Sequence, residues 1–274
     1  MFQLKFFIYC ILFSLSVNGM AQTQLNFNYD GSSSVLEETR VSVFLQYSND
    51  KIELLNDTVR KFEKSLNVPS KENDYTLFVQ FENQTIGKEI VNYPFQLTGN
   101  ETDVEINVRF YKDGGFDKRK RENGVIEIIQ YYESNDNLEI RYLPKMKGDK
   151  YYKAPFFMLK NNSSDTIYGQ YIKGYFWGSI RFLSDSVWSS DYFGQLDYNF
   201  AGGSPLFPDS VTLAWVGSFG WRNELPKTHY KYTLLYTTDR NISSGVRQYL
   251  EKDNFVWWAD RKKYYRLVYE FDVK

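Results

Sequence analysis

The feature that most constrains the fold of this chain is a run of alternating apolar and polar side chains at residues 104–111. Val104, Ile106, Val108 and Phe110 would share one side of an extended chain, and the residues between them are polar or charged. A period of two is the side-chain period of a β-strand, so the run predicts a strand with one buried and one solvated face. Alternation of the same kind, less regular, recurs at 41–47, 75–81, 125–131, 138–143, 178–183, 211–216, 232–236 and 265–271.

Clusters of Asn, Asp, Ser and Gly separate these runs, as at 48–50, 97–100 and 134–137, and they predict turns. Aromatic residues make up 19% of the chain, and they suit pleated, half-buried surfaces better than helices. Many short strands at this spacing are typical of sandwiches. We therefore predict an all-β fold with two antiparallel β-sandwich domains of the immunoglobulin-like kind.

Helix is expected in one short segment near residues 243–253. A serine at 243 or 244 suits the N-cap, and apolar residues follow it at helical spacing. The segment 57–66 also places apolar residues at helical spacing, although its pattern fits a strand as well. The sequence thus predicts one helix and leaves the second segment open.

A break in the strand pattern divides the chain, because charges and glycines replace the alternation for about a dozen residues after Tyr111. We place a linker at 113–123, between an N-terminal sandwich at 40–112 and a C-terminal sandwich at 124–274. Residues 22–39 are expected to form a flexible N-terminal segment.

The first 21 residues have the pattern of a cleavable secretory signal. Lys5 precedes an apolar run at 6–17, which is shorter than the roughly 20 residues that span a bilayer as a helix, and small residues follow it up to Ala21. The chain's one cysteine, Cys10, lies inside this run, so the mature chain would lack disulfides, which favours a bacterial origin over a eukaryotic one. We expect an extracytoplasmic protein in the periplasm, at the cell surface or secreted, with no transmembrane segment after cleavage.

Charge and motifs argue against several classes of function. The chain carries 33 Lys and Arg against 34 Asp and Glu, so no overall positive field attracts nucleic acid. His229 is the chain's one histidine, so it does not supply a set of zinc ligands. The sequence also lacks a Gly-x-Ser-x-Gly elbow, so it does not predict a convincing catalytic triad. Phosphate-binding loops are also missing from the sequence. We predict no cofactor and no metal, although calcium at an Asp-rich turn stays open.

Carboxylate catalysis is the surviving enzymatic alternative. Asp185, Asp191 and Asp197 lie among aromatic residues, and a glycosidase needs only two carboxyl groups held roughly 5 to 10 Å apart. A decorated loop between strands has the same composition, so the pattern does not define an active site.

Tryptophan is confined to the second predicted domain, which contains all six. Trp and Tyr combine a flat apolar ring with a polar tip, so exposed rings suit sugars and peptide surfaces. Trp215, in an alternating apolar strand, is expected in the core. Trp257 and Trp258 are adjacent, so an extended chain would turn one of them outward. The candidate ligand-binding residues are Trp177, Trp188, Tyr192, Trp221, Trp257 and Trp258.

Three functional hypotheses follow. The preferred one is a non-catalytic binding or adhesion module for glycan or protein ligands at the cell surface or in the periplasm. The alternatives are a glycan-active hydrolase with paired carboxylates and a structural or accessory component of a surface assembly. The sequence favours a non-enzyme without deciding the matter.

Overall fold

The computed structural model is all β, which confirms the predicted fold class. It describes residues 22–33, 39–69, 73–83, 87–112, 122–134, 137–144, 155–169, 171–172, 175–189, 205–216, 226–240, 248–252 and 255–274. The elements whose bounds lie in these ranges are strands, and each alternating run of the sequence overlaps one of them. Within the same ranges, no helix has the length and apolar character needed to cross a membrane.

The chain divides into two compact units. Unit 1 comprises residues 1–130 and 247–261, and unit 2 comprises 131–246 and 262–274. The division therefore falls after Gln130, inside a strand, whereas we predicted a linker at 113–123. The side chains of this strand alternate along its whole length, so its sequence pattern does not change where one unit ends and the next begins. A break in composition therefore need not mark the division.

Unit 1 packs two sheets over one core. Its strands are β1 (Gln22–Ser33), β2 (Arg40–Tyr47), β3 (Asp50–Asp57), β4 (Lys61–Pro69), β5 (Asn73–Asn83), β6 (Gly87–Leu97), β7 (Glu101–Lys112), the first part of β8 (Glu122–Glu133), β19 (Gln248–Lys252) and the first part of β20 (Phe255–Asp272). The first sheet has the order β8-β7-β1-β4 and the second the order β3-β2-β5-β6. Buried residues of both sheets, such as Phe27 and Leu77, belong to one hydrophobic cluster. This two-layer arrangement is that of a sandwich.

The start of unit 1 differs from the flexible segment expected at 22–39. Residues 22–33 form β1, which pairs antiparallel with β4 and parallel with β7. Leu25, Phe27 and Tyr29 are buried in the core of the unit. The polar residues between them give this segment the period of two that is typical of a strand with one buried face.

Unit 2 also contains two sheets. Its strands are the last part of β8, β9 (Leu138–Tyr142), β10 (Phe156–Asn161), β11 (Ile167–Gly169), β12 (Tyr171–Ile172), β13 (Tyr175–Trp177), β14 (Ser179–Ser184), β15 (Val187–Trp188), β16 (Pro205–Leu206), β17 (Val211–Trp215), β18 (His229–Thr237) and most of the last strand, β20 (Phe255–Asp272). One sheet has the order β15-β14-β18-β20-β8, and the other has the order β12-β13-β17-β10-β9.

Aromatic rings fill the core of unit 2, which accounts for much of the aromatic excess. Tyr232 is fully buried, and its ring stacks on that of Phe157 with centroids 4.1 Å apart. The pKa of Tyr232 is raised by burial. Gly178 is required beside this ring, because a Cβ at that position would lie 2.5 Å from the Thr233 carbonyl oxygen and 2.6 Å from the Tyr232 ring.

The predicted short helix is wrong where the structure describes it. Residues 248–252 form β19 (Gln248–Lys252), which pairs antiparallel with residues 255–259 of β20. Pairing with β20 satisfies the backbone of this segment as well as a helix would, and tertiary context overrides a weak helical pattern. Residues 243–247 lie outside the described ranges. The segment 57–66, which the sequence left open, contains the end of β3 and the start of β4.

Candidate binding face on unit 2

Strict alternation along β18 and β20 gives unit 2 a solvated sheet surface. In β18, Tyr230, Tyr232, Leu234 and Tyr236 are buried, so the residues between them face the other way. In β20, Phe271 is buried and the even-numbered residues near it are exposed. We call the solvated side of β15-β14-β18-β20-β8 the outer face. Its residues on β18 and β20 are His229, Lys231, Thr233, Leu235, Tyr264, Arg266, Val268, Glu270 and Asp272.

A tight hairpin brings Trp188 to one end of the outer face. Strands β14 and β15 are joined by Asp185 and Ser186, whose φ angles of 48° and 67° are both left-handed, as a type I′ turn requires. The Ser189 amide donates to the Phe182 carbonyl oxygen at 2.9 Å and extends the hairpin. Asp185 therefore serves as a turn residue beside the tryptophan.

Five side chains form what we call the His229 cluster: Trp188, His229, Lys231, Glu270 and Asp272. The imidazole Nδ1 lies 2.9 Å from Asp272 Oδ1, and its Nε2 lies 3.1 Å from Glu270 Oε2. Lys231 Nζ lies 2.9 Å from the other Glu270 oxygen and 4.7 Å from the centroid of the Trp188 ring. The Trp188 and His229 ring centroids are 5.7 Å apart. The indole is therefore held by a cation and an imidazole while remaining partly solvated.

The hydrogen bonds of the cluster favour the charged forms of His229 and Glu270. Hydrogen bonds to Asp272 and then to Glu270 raise the pKa of His229, and desolvation opposes them only in part. Hydrogen bonds from Lys231 and His229 lower the pKa of Glu270.

We predict that His229 titrates above its ordinary pKa of about 6.5. Because the folded-state pKa is the higher one, protonation of His229 stabilises the protein fully below about pH 6.5, and this contribution is lost as pH rises through the folded-state pKa. NMR titration of the imidazole measures the pKa of His229 directly. Asp272→Asn should lower the His229 pKa, whereas Asp185→Asn, on the neighbouring turn, should leave it unchanged. An ordinary His229 pKa in the wild-type protein would contradict the bridged geometry.

A second aromatic group lies at the other end of the outer face. The rings of Tyr131, on β8, and Tyr264, on β20, are stacked with centroids 6.5 Å apart. The Arg266 guanidinium carbon lies 4.5 Å from the centroid of the Tyr131 ring. All three side chains are partly solvated. We call Tyr131, Tyr264 and Arg266 the tyrosine cluster.

The structure places only some of the predicted site residues. Trp188 lies on the outer face, and its ring is partly solvated. Trp177 lies in β13, and Trp257 and Trp258 lie in β20, but the description of these three residues covers the backbone alone. Tyr192 and Trp221 lie outside the described residues, and so do Asp191 and Asp197. Trp215 is partly buried, and its ring stacks on that of Phe156 with centroids 5.9 Å apart.

Sequence reasoning missed the tyrosine cluster and undervalued His229. The signal was present in the last strand, since the alternation at 264–272 assigns Tyr264, Arg266 and Glu270 to one side. Sequence could not show that Tyr131, more than 130 residues away, stacks on the same strand. In the part of the chain that the structure describes, no three His, Cys, Asp or Glu side chains are arranged to hold a metal ion.

No protein-family model matches the chain, and no curated protein is significantly similar to it in sequence. The functional interpretation therefore depends on the residues of the outer face.

Proposed function

We propose that this chain is an exported, non-catalytic binding or adhesion module that holds a glycan on the outer face of unit 2. The observation that carries the proposal is that three partly solvated aromatic rings, Trp188, Tyr131 and Tyr264, share one sheet surface with paired polar groups. Aromatic rings with polar tips provide stacking surfaces, and the charged groups beside them provide hydrogen bonds to hydroxyls.

Preorganisation supports a binding role for these rings. Lys231 fixes Trp188 at one end, and Arg266 with Tyr264 fixes Tyr131 at the other. Side chains that are already ordered lose less conformational entropy when a ligand binds, so more of the contact energy contributes to affinity. The rings also lie on regular strands, which hold a site more rigidly than loops do.

Binding is favoured over hydrolysis by the state of the carboxylates. A glycosidase needs a carboxylic acid whose pKa is raised so that it can protonate the leaving oxygen. Glu270 has a lowered pKa because Lys231 and His229 donate to it. Asp185, the described member of the predicted acidic trio, is an exposed residue of a tight turn. These groups suit ligand contacts better than proton transfer.

Glycan-array binding by the protein expressed from residue 22 tests the proposal. We expect binding to at least one glycan class, and its loss in Trp188→Ala, because truncation of an anchoring ring removes most of the contact at its end of the site. Phe44→Ala is a matched control, since Phe44 is a partly solvated ring under a lysine in unit 1, with Lys51 Nζ 3.9 Å from its centroid. Its binding should equal that of the wild type.

The array also separates the alternatives. Absence of any glycan signal from the folded wild-type protein would contradict the proposal. Self-association at micromolar concentration without glycan binding would favour a structural component of an assembly. Release of reducing sugar from a bound glycan would favour the hydrolase.

A further inference from the structure

We infer that the ligand of the outer face is an extended, uncharged glycan chain that runs along β18 and β20 and contacts both aromatic clusters at once. This inference rests on the proposed function and specifies its ligand. The geometry points to it because the two clusters lie at opposite ends of the stretch over which β18 and β20 pair, with a solvated strip between them.

The length of the site follows from the strand register. Asp272, in the His229 cluster, pairs with His229, and Tyr265 pairs with Tyr236, so β18 and β20 run side by side between the two clusters. Eight residue steps separate Asp272 from Tyr264 on β20, which is about 27 Å at about 3.4 Å per residue. A single sugar ring is much shorter than this span. A ligand that contacts both clusters must therefore be a chain.

The strip between the clusters carries few large side chains. On β18 it contains Thr233 and Leu235, both partly buried, and on β20 it contains Val268, which is 45% exposed. Thr233 and Val268 are paired across the two strands, and Leu235 is paired with Arg266. The short side chains of Thr233 and Val268 leave the middle of the strip low, so that a ligand can lie flat between the two sets of rings.

Charges of both signs lie on the outer face, which argues against a polyanionic or polycationic ligand. Between Tyr264 and Asp272, Arg181, Lys231, Arg266 and His229 face the carboxylates of Glu133, Glu270 and Asp272, and Lys262 follows on the same side of β20 beyond Tyr264. Lys231 and His229 are already paired with Glu270, and His229 also with Asp272. A charged polymer would need to break these pairs and would meet like charges along its length, whereas a neutral chain would hydrogen-bond to both kinds of group.

The test is the dependence of affinity on chain length. The neutral probes are series of cello-, xylo-, manno- and N-acetylated chito-oligosaccharides, each from the disaccharide upward. Oligogalacturonates of increasing length form the anionic series. Calorimetry gives the dissociation constant of each oligosaccharide. For at least one neutral ladder, we expect affinity to rise at least about tenfold between the disaccharide and chains that span about 25 Å, because a chain that reaches the second cluster makes that contact intramolecularly.

Variants locate the two contacts. In Trp188→Ala and in Tyr264→Ala, the increase in affinity with chain length should disappear. Weak binding of short chains should persist at the end of the site whose aromatic cluster is unchanged. Equal affinity for the disaccharide and the longest neutral chain would overturn the extended site and leave the proposed function standing. Tighter binding of oligogalacturonate than of every neutral ladder would also overturn it. Failure of all the ladders to bind would overturn the inference and the proposed function together.

Discussion

Phe27→Ala is expected to lower the free energy of unfolding of unit 1 by about 3–5 kcal/mol, the usual loss for a large aromatic ring deleted from a packed core. Phe27 has no solvent exposure, and its ring lies 6.4 Å from that of Phe62. Its neighbours along the sheet are Lys64 on β4 and Ile106 on β7. The cavity would therefore open in the middle of β1, where both adjacent strands depend on it.

The size of this effect decides between a packed and a flexible N-terminal segment. Native-state hydrogen exchange of the amides of β1, β4 and β7 measures it. Gln24→Ala is the control, because Gln24 lies on the same strand with an exposed side chain and should change the free energy by less than about 0.5 kcal/mol. Equal, small effects of both substitutions would mean that residues 22–33 do not pack as β1.

Tyr232→Ala is expected to be as damaging in unit 2, with a loss of about 3–5 kcal/mol. Tyr232 is fully buried against Phe157, and residues of both sheets of the unit contribute to the same cluster. Alanine would remove the ring that joins the two layers. Urea denaturation followed by tyrosine and tryptophan fluorescence, with hydrogen exchange of β18 amides to assign the transition, measures the change.

The hydroxyl group of Tyr232 contributes much less than its ring. It donates to the Trp215 carbonyl oxygen at 3.5 Å, which is long for a hydrogen bond, so Tyr232→Phe should cost no more than about 1 kcal/mol. The two substitutions thus separate packing from hydrogen bonding at one position. A loss in Tyr232→Phe similar to that in Tyr232→Ala would contradict an aromatic core held mainly by ring packing.

Periodicity predicted most of the fold, because a strand with one buried face reveals itself in two-residue alternation. The run at 104–111 became part of β7, and the runs at 41–47 and 75–81 became parts of β2 and β5. The immunoglobulin-like topology stays a prediction. The clearest failure was in the helix predicted near 243–253, because residues 248–252 form a strand that pairs with β20.

The candidate site was only partly predictable, because its parts are remote in sequence. Composition alone made Trp188 a candidate. Its position beside Lys231, however, depends on a type I′ turn at Asp185 and Ser186. This dipeptide lacks the glycine that is typical of such turns. The sequence assigns no role to His229, because the two carboxylates that bridge it, Glu270 and Asp272, come from β20. Pairing between distant strands decides which residues meet, and one sequence does not reveal that pairing.

The central claim is that the outer face of unit 2 binds the ligand. Hydroxyl-radical footprinting of the protein with and without a saturating array-selected glycan tests it most directly, because it reports the solvent exposure of individual side chains. We predict reduced oxidation of Trp188, Tyr131 and Tyr264 on binding, with no change at Phe44 of unit 1. Protection confined to other residues, with these three rings oxidised as in the free protein, would contradict the account.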